Sequence, residues 1–124
     1  MFRMMCKSKI HRATITKKDL HYSGSIGVDK ALLEASDILP NEMVQVLNLN
    51  NGERFETYIV EEEEGSGTIA LYGPAAYKGE AGDLVIIISY GIFDEKETRQ
   101  AVSRVVLVDG KNKITKKKEK SNEA

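Results

Sequence analysis

Gly24 and Ser25, within Asp19-Leu20-His21-Tyr22-Ser23-Gly24-Ser25-Ile26, carry the most chemistry of any neighbours in this 124-residue chain. A serine hydroxyl can attack the carbonyl carbon of the residue before it and turn the amide into an ester. Glycine in that place leaves the carbonyl sterically open and lets the backbone take the strained or left-handed conformations that bring the hydroxyl close. The ester can then undergo β-elimination, which cuts the chain after Gly24. The dehydroalanine left at position 25 hydrolyses with loss of ammonia to a pyruvoyl group, a ketone that no ordinary side chain supplies. Ser-Gly-Ser is also among the commonest turn compositions, so the dipeptide needs support from the rest of the chain.

Four further segments give that support. Lys9-Ile10-His11-Arg12 precedes the Gly-Ser pair, and Asn51-Gly52-Glu53-Arg54-Phe55-Glu56-Thr57-Tyr58, Gly73-Pro74-Ala75-Ala76 and Gly82-Asp83-Leu84-Val85-Ile86-Ile87-Ile88 follow it. In this order and at these separations, over about residues 1–109, the chain resembles the pyruvoyl-dependent aspartate 1-decarboxylase family. The resemblance implies a double-psi β-barrel, self-cleaved between residues 24 and 25, in a homotetramer with active sites at subunit interfaces. It implies conversion of L-aspartate to β-alanine and CO₂ for pantothenate synthesis. The cofactor would be the pyruvoyl group from Ser25, an electron sink made from backbone, with no pyridoxal phosphate and no metal. Some relatives mature with the help of an accessory protein.

The resemblance also assigns roles. Ser25 and Tyr58 are the catalytic residues, Tyr58 reprotonating the substrate carbon; a phenol of ordinary pKa, about 10, holds its proton at neutral pH. Gly24, Ser25 and Thr57 serve cleavage, Thr57 by hydrogen-bonding the Gly24 carbonyl oxygen as it gains charge. Lys9, Arg54, Thr57, Gly73, Ala75 and Ala76 bind substrate, Arg54 as a bidentate fork and Lys9 as a point charge. His11, Tyr22 and Tyr72 support them, and His11 shares a face with Lys9 if that segment is extended. Taken singly, each residue has a plainer reading: solvated strand charges for Lys9 and Arg54, a β-former for Thr57, a cross-strand packer for Tyr58, a structural imidazole for His11.

Two features sit awkwardly. Adjacent strand residues point to opposite faces, so Thr57 and Tyr58 cannot both face one pocket on a regular strand; a subunit boundary or a bulge would resolve this. The family pattern also has Asn where this chain has Tyr72 and Ala where it has Pro74. The first change removes an amide donor and acceptor, and the second removes a backbone N–H.

The elements that must position these residues are mostly β. Short alternating runs at 2–7, 10–16, 21–28, 43–49, 54–61, 68–72, 84–90 and 103–108, bounded by Gly, Asn or Asp, read as strands. Helix is expected only at 30–35, with Asp29 as N-cap, and at 95–101. Asn50-Asn51-Gly52-Glu53 predicts a type I′ hairpin turn. Seven or eight short strands with one or two short helices point to a small closed barrel. After Gly110 the Lys-rich stretch has almost no apolar content, so 110–124 reads as a disordered tail.

Composition narrows the partners. A net charge of −1 with 30% charged residues gives no overall basic field for nucleic acid. No apolar run approaches the roughly 18 residues that span a membrane. The single Cys6 and a start lacking a signal-peptide pattern point to the cytoplasm, and His11 and His21 have no second ligand at metal spacing. The competing class is a non-catalytic small β-barrel, a binding or regulatory protein; a regulator would concentrate basic residues on one face, and the dense basic run here lies in the expected tail.

Overall fold

The computed structural model describes residues 1–121. Nine strands run β1 (Arg3–Thr14), β2 (Lys17–Asp19), β3 (Ser25–Asp29), β4 (Met43–Asn48), β5 (Arg54–Glu62), β6 (Ile69–Tyr72), β7 (Leu84–Phe93), β8 (Val102–Val108) and β9 (Ile114–Ser121). Among the described residues, helices α1 (Lys30–Ser36) and α2 (Glu95–Gln100) and a 3-10 helix at Gly73–Lys78 complete the fold, so the mainly β expectation with two short α-helices holds.

The strands form one mixed sheet in the order β2-β6-β3-β5-β4-β7-β1-β8-β9. The β1–β8, β2–β6 and β3–β5 pairs are parallel, so crossovers interrupt the antiparallel ladders as a double-psi barrel requires. Hydrogen bonds between end strands do not close the sheet; the chain does. β1 runs through buried Ile15 and then Thr16 into β2, joining the two ends of the seven-strand run from β2 to β1. Thr16 fixes the corner, its N–H donating to Ile69 O (2.8 Å) while its Oγ1 accepts from Ile69 N (3.0 Å). Inside lie Ile10, Ile26, Val28, Val46, Ile59, Leu71, Ile87 and Val106, capped by Leu32 and Leu33 of α1. Burial of such side chains, about 1.5–3 kcal/mol each, is the main favourable term.

Three local expectations change. The first two expected strands are one, bent where Arg12 takes φ 63° and the register with β7 slips between Ile10 and Ala13. The hairpin after β4 is not a type I′ turn: Gly52 has φ 75° but Asn51 has no positive φ. Instead Asn48 Oδ1 accepts from Asn50 N (2.8 Å) and Asn51 N (3.4 Å), winding a wider loop closed by Gly52 N to Asn48 O (3.0 Å).

The third change is at the C-terminal segment. In place of a disordered tail, residues 114–121 form β9, antiparallel to β8; residues 122–124 lie outside the described residues. Its side chains are exposed throughout, so ladder hydrogen bonds rather than apolar burial hold it. The anchor is Asn112, buried at φ 60°. Its Oδ1 accepts from Thr14 N (2.7 Å), and its Nδ2 donates to Thr14 O and Gly67 O (2.8 Å each). Asn112→Ala would strand these buried groups, and we expect a loss of about 2–4 kcal/mol in urea unfolding. A loss below roughly 0.5 kcal/mol, the range of an ordinary surface change, would show that the anchor carries little.

Candidate active site

β3 begins at Ser25 and is buried along its whole length, with β5 on one side and β6 on the other. Its parallel ladder with β5 starts at Ile26 opposite Ile59. Gly24, one residue before β3, lines the same cleft as Thr57 and Tyr58, the residues of β5 just before that first pair. On the other side Ser25 pairs directly with Tyr72. Ser25 and Tyr72, far apart in sequence, are thus neighbours at strand spacing, about 4.8 Å.

Because the ladder stops there, residues 54–58 of β5 have no partner on the β3 side. A cleft of about 420 Å³ opens along this edge, lined by Gly24, Pro74, Ala75, Lys78 and residues 55–58 of β5. Along this unpaired edge Thr57 and Tyr58 both line the cleft although they alternate in direction. Sequence reasoning missed Phe55, Glu56 and Lys78, which carry no chemical signal of their own, whereas Pro74 was visible as a departure from the family pattern.

Ser25 is fully buried, and its hydroxyl donates to Ser23 O at 3.2 Å. Gly24 does not have a positive φ, and a Cβ there would stand 3.2 Å from Pro74 Cδ, a tight contact from which the proline ring would have to shift. Gly73, at φ 63°, lies beneath the same segment: an added Cβ would meet Tyr22 O at 2.6 Å and Gly24 N at 2.8 Å. Of Gly73, Ala75 and Ala76, all buried, only Ala75 lines the cleft.

Tyr72 does not turn to the Ser25 hydroxyl. Its own hydroxyl donates to Glu62 Oε1, and its ring lies 4.5 Å from that of Tyr22, tilted by 39°. Burial, then the hydrogen bond to Glu62, push the Tyr72 phenol well above its usual pKa, so it stays protonated and donates.

The cations are distributed unevenly. Arg54 opens β5, on the same face of the strand as Tyr58 but outside the cleft lining. Lys9 is opposite Ile88, which is opposite Gln45, which is opposite Glu56. Three strand spacings, about 14 Å, therefore separate Lys9 from β5 within one chain. His11, on the same strand as Lys9, lines a separate groove with Arg12, Leu107 and Asp109. Burial first, then the charges of Arg12, Lys9 and Lys118, lower its pKa, so it is a neutral imidazole at pH 7. Neither Lys9 nor Arg54 has an acidic partner within 4.0 Å among the described residues.

The chain matches the aspartate decarboxylase family over residues 1–115 and belongs to it. The aspartate 1-decarboxylase of Pelotomaculum thermopropionicum is 60% identical over 114 residues, 92% of this chain and 86% of the relative. That of Thermoanaerobacter pseudethanolicus is 56% identical, covering 91% of this chain and 97% of its own. That of Listeria monocytogenes is 54% identical, covering 92% and 90%. Among solved structures, a rationally designed protein aligns with a TM-score of 0.47 at 12% identity, over 64% of this chain and 91% of its own.

Gly73→Ala is expected to cost about 2 kcal/mol or more, because a methyl group at positive φ would press on backbone that cannot swing aside. An unchanged urea midpoint would show that the Tyr22–Gly24 segment yields freely.

Proposed function

We propose that this chain is a self-processing aspartate 1-decarboxylase, converting L-aspartate to β-alanine and CO₂ in the cytoplasm with a pyruvoyl group made from Ser25. The observation that supports the reading is the open edge of β5 beside the start of β3, where Gly24, Thr57 and Tyr58 line one cleft. A pyruvoyl group has fewer heavy atoms than the serine residue it replaces, so it suits the closed surroundings of Ser25.

In maturation the Ser25 Oγ–Gly24 carbonyl carbon bond forms as the Gly24–Ser25 amide breaks, the hydroxyl proton passing to the freed nitrogen. The Thr57 hydroxyl donates to the carbonyl oxygen as it gathers charge. Loss of the Ser25 Cα proton with cleavage of its Cβ–O bond then releases residues 1–24 ending in a Gly24 carboxylate. Addition of water and departure of ammonia complete the ketone.

The pyruvoyl ketone supplies the electron sink for loss of CO₂ from the substrate's α-carbon. Tyr58, 37% exposed and facing the cleft, holds the proton that the carbon regains. Thr57 and Ala75 line the substrate's path, and the unpaired Arg54 guanidinium binds a carboxylate at the end of β5. Lys9 and His11 stand too far across the sheet to act on the same cleft, so in this reading a neighbouring subunit brings them. The outer face near Tyr58 supports that assembly: Met4, Met43, Tyr90 and Ile92 are exposed around one groove beside β5, an apolar surface that a homotetramer would cover.

Incubation of the purified chain with L-aspartate should yield β-alanine and CO₂, and Ser25→Ala should yield neither; activity in that variant would refute the reading. Tyr58→Phe should leave cleavage near normal and cut turnover on the order of 10²-fold, so wild-type turnover in the fully processed variant would remove Tyr58 as donor. Arg54→Lys keeps the charge and loses the fork. Its Michaelis constant for aspartate should rise about tenfold, roughly 1.4 kcal/mol, and an unchanged value would take Arg54 out of the site.

A further inference from the structure

We propose that Glu62 is a positioning residue for cleavage at Gly24–Ser25, holding Tyr72 so that its ring braces Tyr22 and with it the segment that must present the Gly24 carbonyl. The inference rests on the self-cleavage reading above and adds to it a residue outside the cleft.

The register lays out the parts on one face of the barrel wall. Tyr72 is opposite Ser25, Gly27 follows Ser25 by one strand repeat, and Glu62 is opposite Asp29, one repeat further on. Tyr72 therefore starts beside the reacting serine and reaches along the face to Glu62, where its hydroxyl finds the carboxylate. It passes over Gly27: a Cβ there would stand 2.9 Å from the Tyr72 ring and would also strike the Glu62 side chain. Gly27 is the space that lets the other two meet.

The near side of the ring faces the scissile segment. Tyr22 is 52% exposed, and the Tyr72 ring at 4.5 Å is the only ring it meets among the described residues. Lys17 Nζ lies 5.9 Å from the Tyr72 ring centroid, a cation–π contact from the strand that leads into this segment. The segment is thus held at two points, with Gly73 beneath its backbone and Tyr72 against its side chain. β3 is fixed in the sheet, so the relative placement of Ser25 and the Gly24 carbonyl is decided on the segment's side. Ser25 Oγ, which donates to Ser23 O at 3.2 Å, must leave that acceptor to attack.

Tyr72 is only 7% exposed. Without the Glu62 carboxylate its hydroxyl would be buried with no acceptor, and the ring would turn toward water to satisfy it. Tyr22 would then lose its brace. Glu62 itself makes and breaks no bond in the reaction.

The rate of cleavage, followed by denaturing electrophoresis from freshly purified uncut protein, tests this with three single variants and one double variant. Glu62→Ala should slow cleavage about tenfold, a modest share of what misplacement of a reacting group can cost. Glu62→Gln, which keeps a carbonyl acceptor for the phenol, should restore most of the rate. Tyr72→Ala, which removes the brace itself, should slow cleavage at least as much, and adding Glu62→Ala to it should change nothing further, because the two act as one unit. Wild-type cleavage in Glu62→Ala, no rescue by Glu62→Gln, or additive losses in the double variant would each overturn the proposal. A wild-type chain that never cleaves, with all variants equally intact, would instead overturn the self-cleavage reading itself, and this inference with it.

Discussion

The start of β3 is the constraint on which the rest of the structure depends. Five consecutive buried residues, Ser25 to Asp29, are clamped between β5 and β6, and one residue earlier the chain is free of both ladders. The Gly24–Ser25 bond therefore lies at the junction between a rigid wall and a segment held only by contacts. The proposed self-cleavage benefits from this arrangement: the nucleophile stays fixed while the carbonyl can be adjusted. The same ending leaves the edge of β5 unpaired, and that edge becomes the cleft.

The far end of β3 is secured as firmly. Asp29, almost fully buried, accepts from Ala31 N at 2.8 Å, capping α1, and from Gly65 N (2.9 Å) and Gly67 N (2.8 Å) of the turn before β6. Asn112 ties the same turn to the end of β1 through Gly67 O. Both partners of β3 are thus anchored by buried polar side chains whose hydrogen bonds are satisfied. Removing one partner of such a group costs more than forming the bond gains, which favours a single register.

Much of this was legible in the sequence, for identifiable reasons. Alternation and turn residues gave most strands of the barrel, though not the short β2, and the strand expected from 21 begins only at Ser25; Asp29 was readable as a helix cap because a carboxylate before Lys30-Ala31-Leu32-Leu33 has few other uses. The sites of Gly24, Thr57 and Tyr58 were readable through the family resemblance. Less was legible where one side chain redirects the backbone. Asn48 overrode the Asn-Gly turn signal, and nothing about Arg12 announces a left-handed residue within β1. β9 was missed because apolar content was the criterion, whereas an edge strand can stand on its ladder and an anchor such as Asn112. Tyr72 read only as a missing amide; its link to Glu62 depends on Gly27, and no local pattern connects the three.

The central claim is that Ser25 is consumed to make the reactive group. Mass spectrometry of the denatured, active protein addresses it most directly. The account predicts two species, residues 1–24 with a free Gly24 carboxylate and a 100-residue remainder, residues 25–124, whose first residue carries a ketone in place of the serine amine and hydroxyl. An intact chain of 124 residues that nonetheless decarboxylates aspartate, or a remainder beginning with unmodified serine in fully active protein, would contradict it.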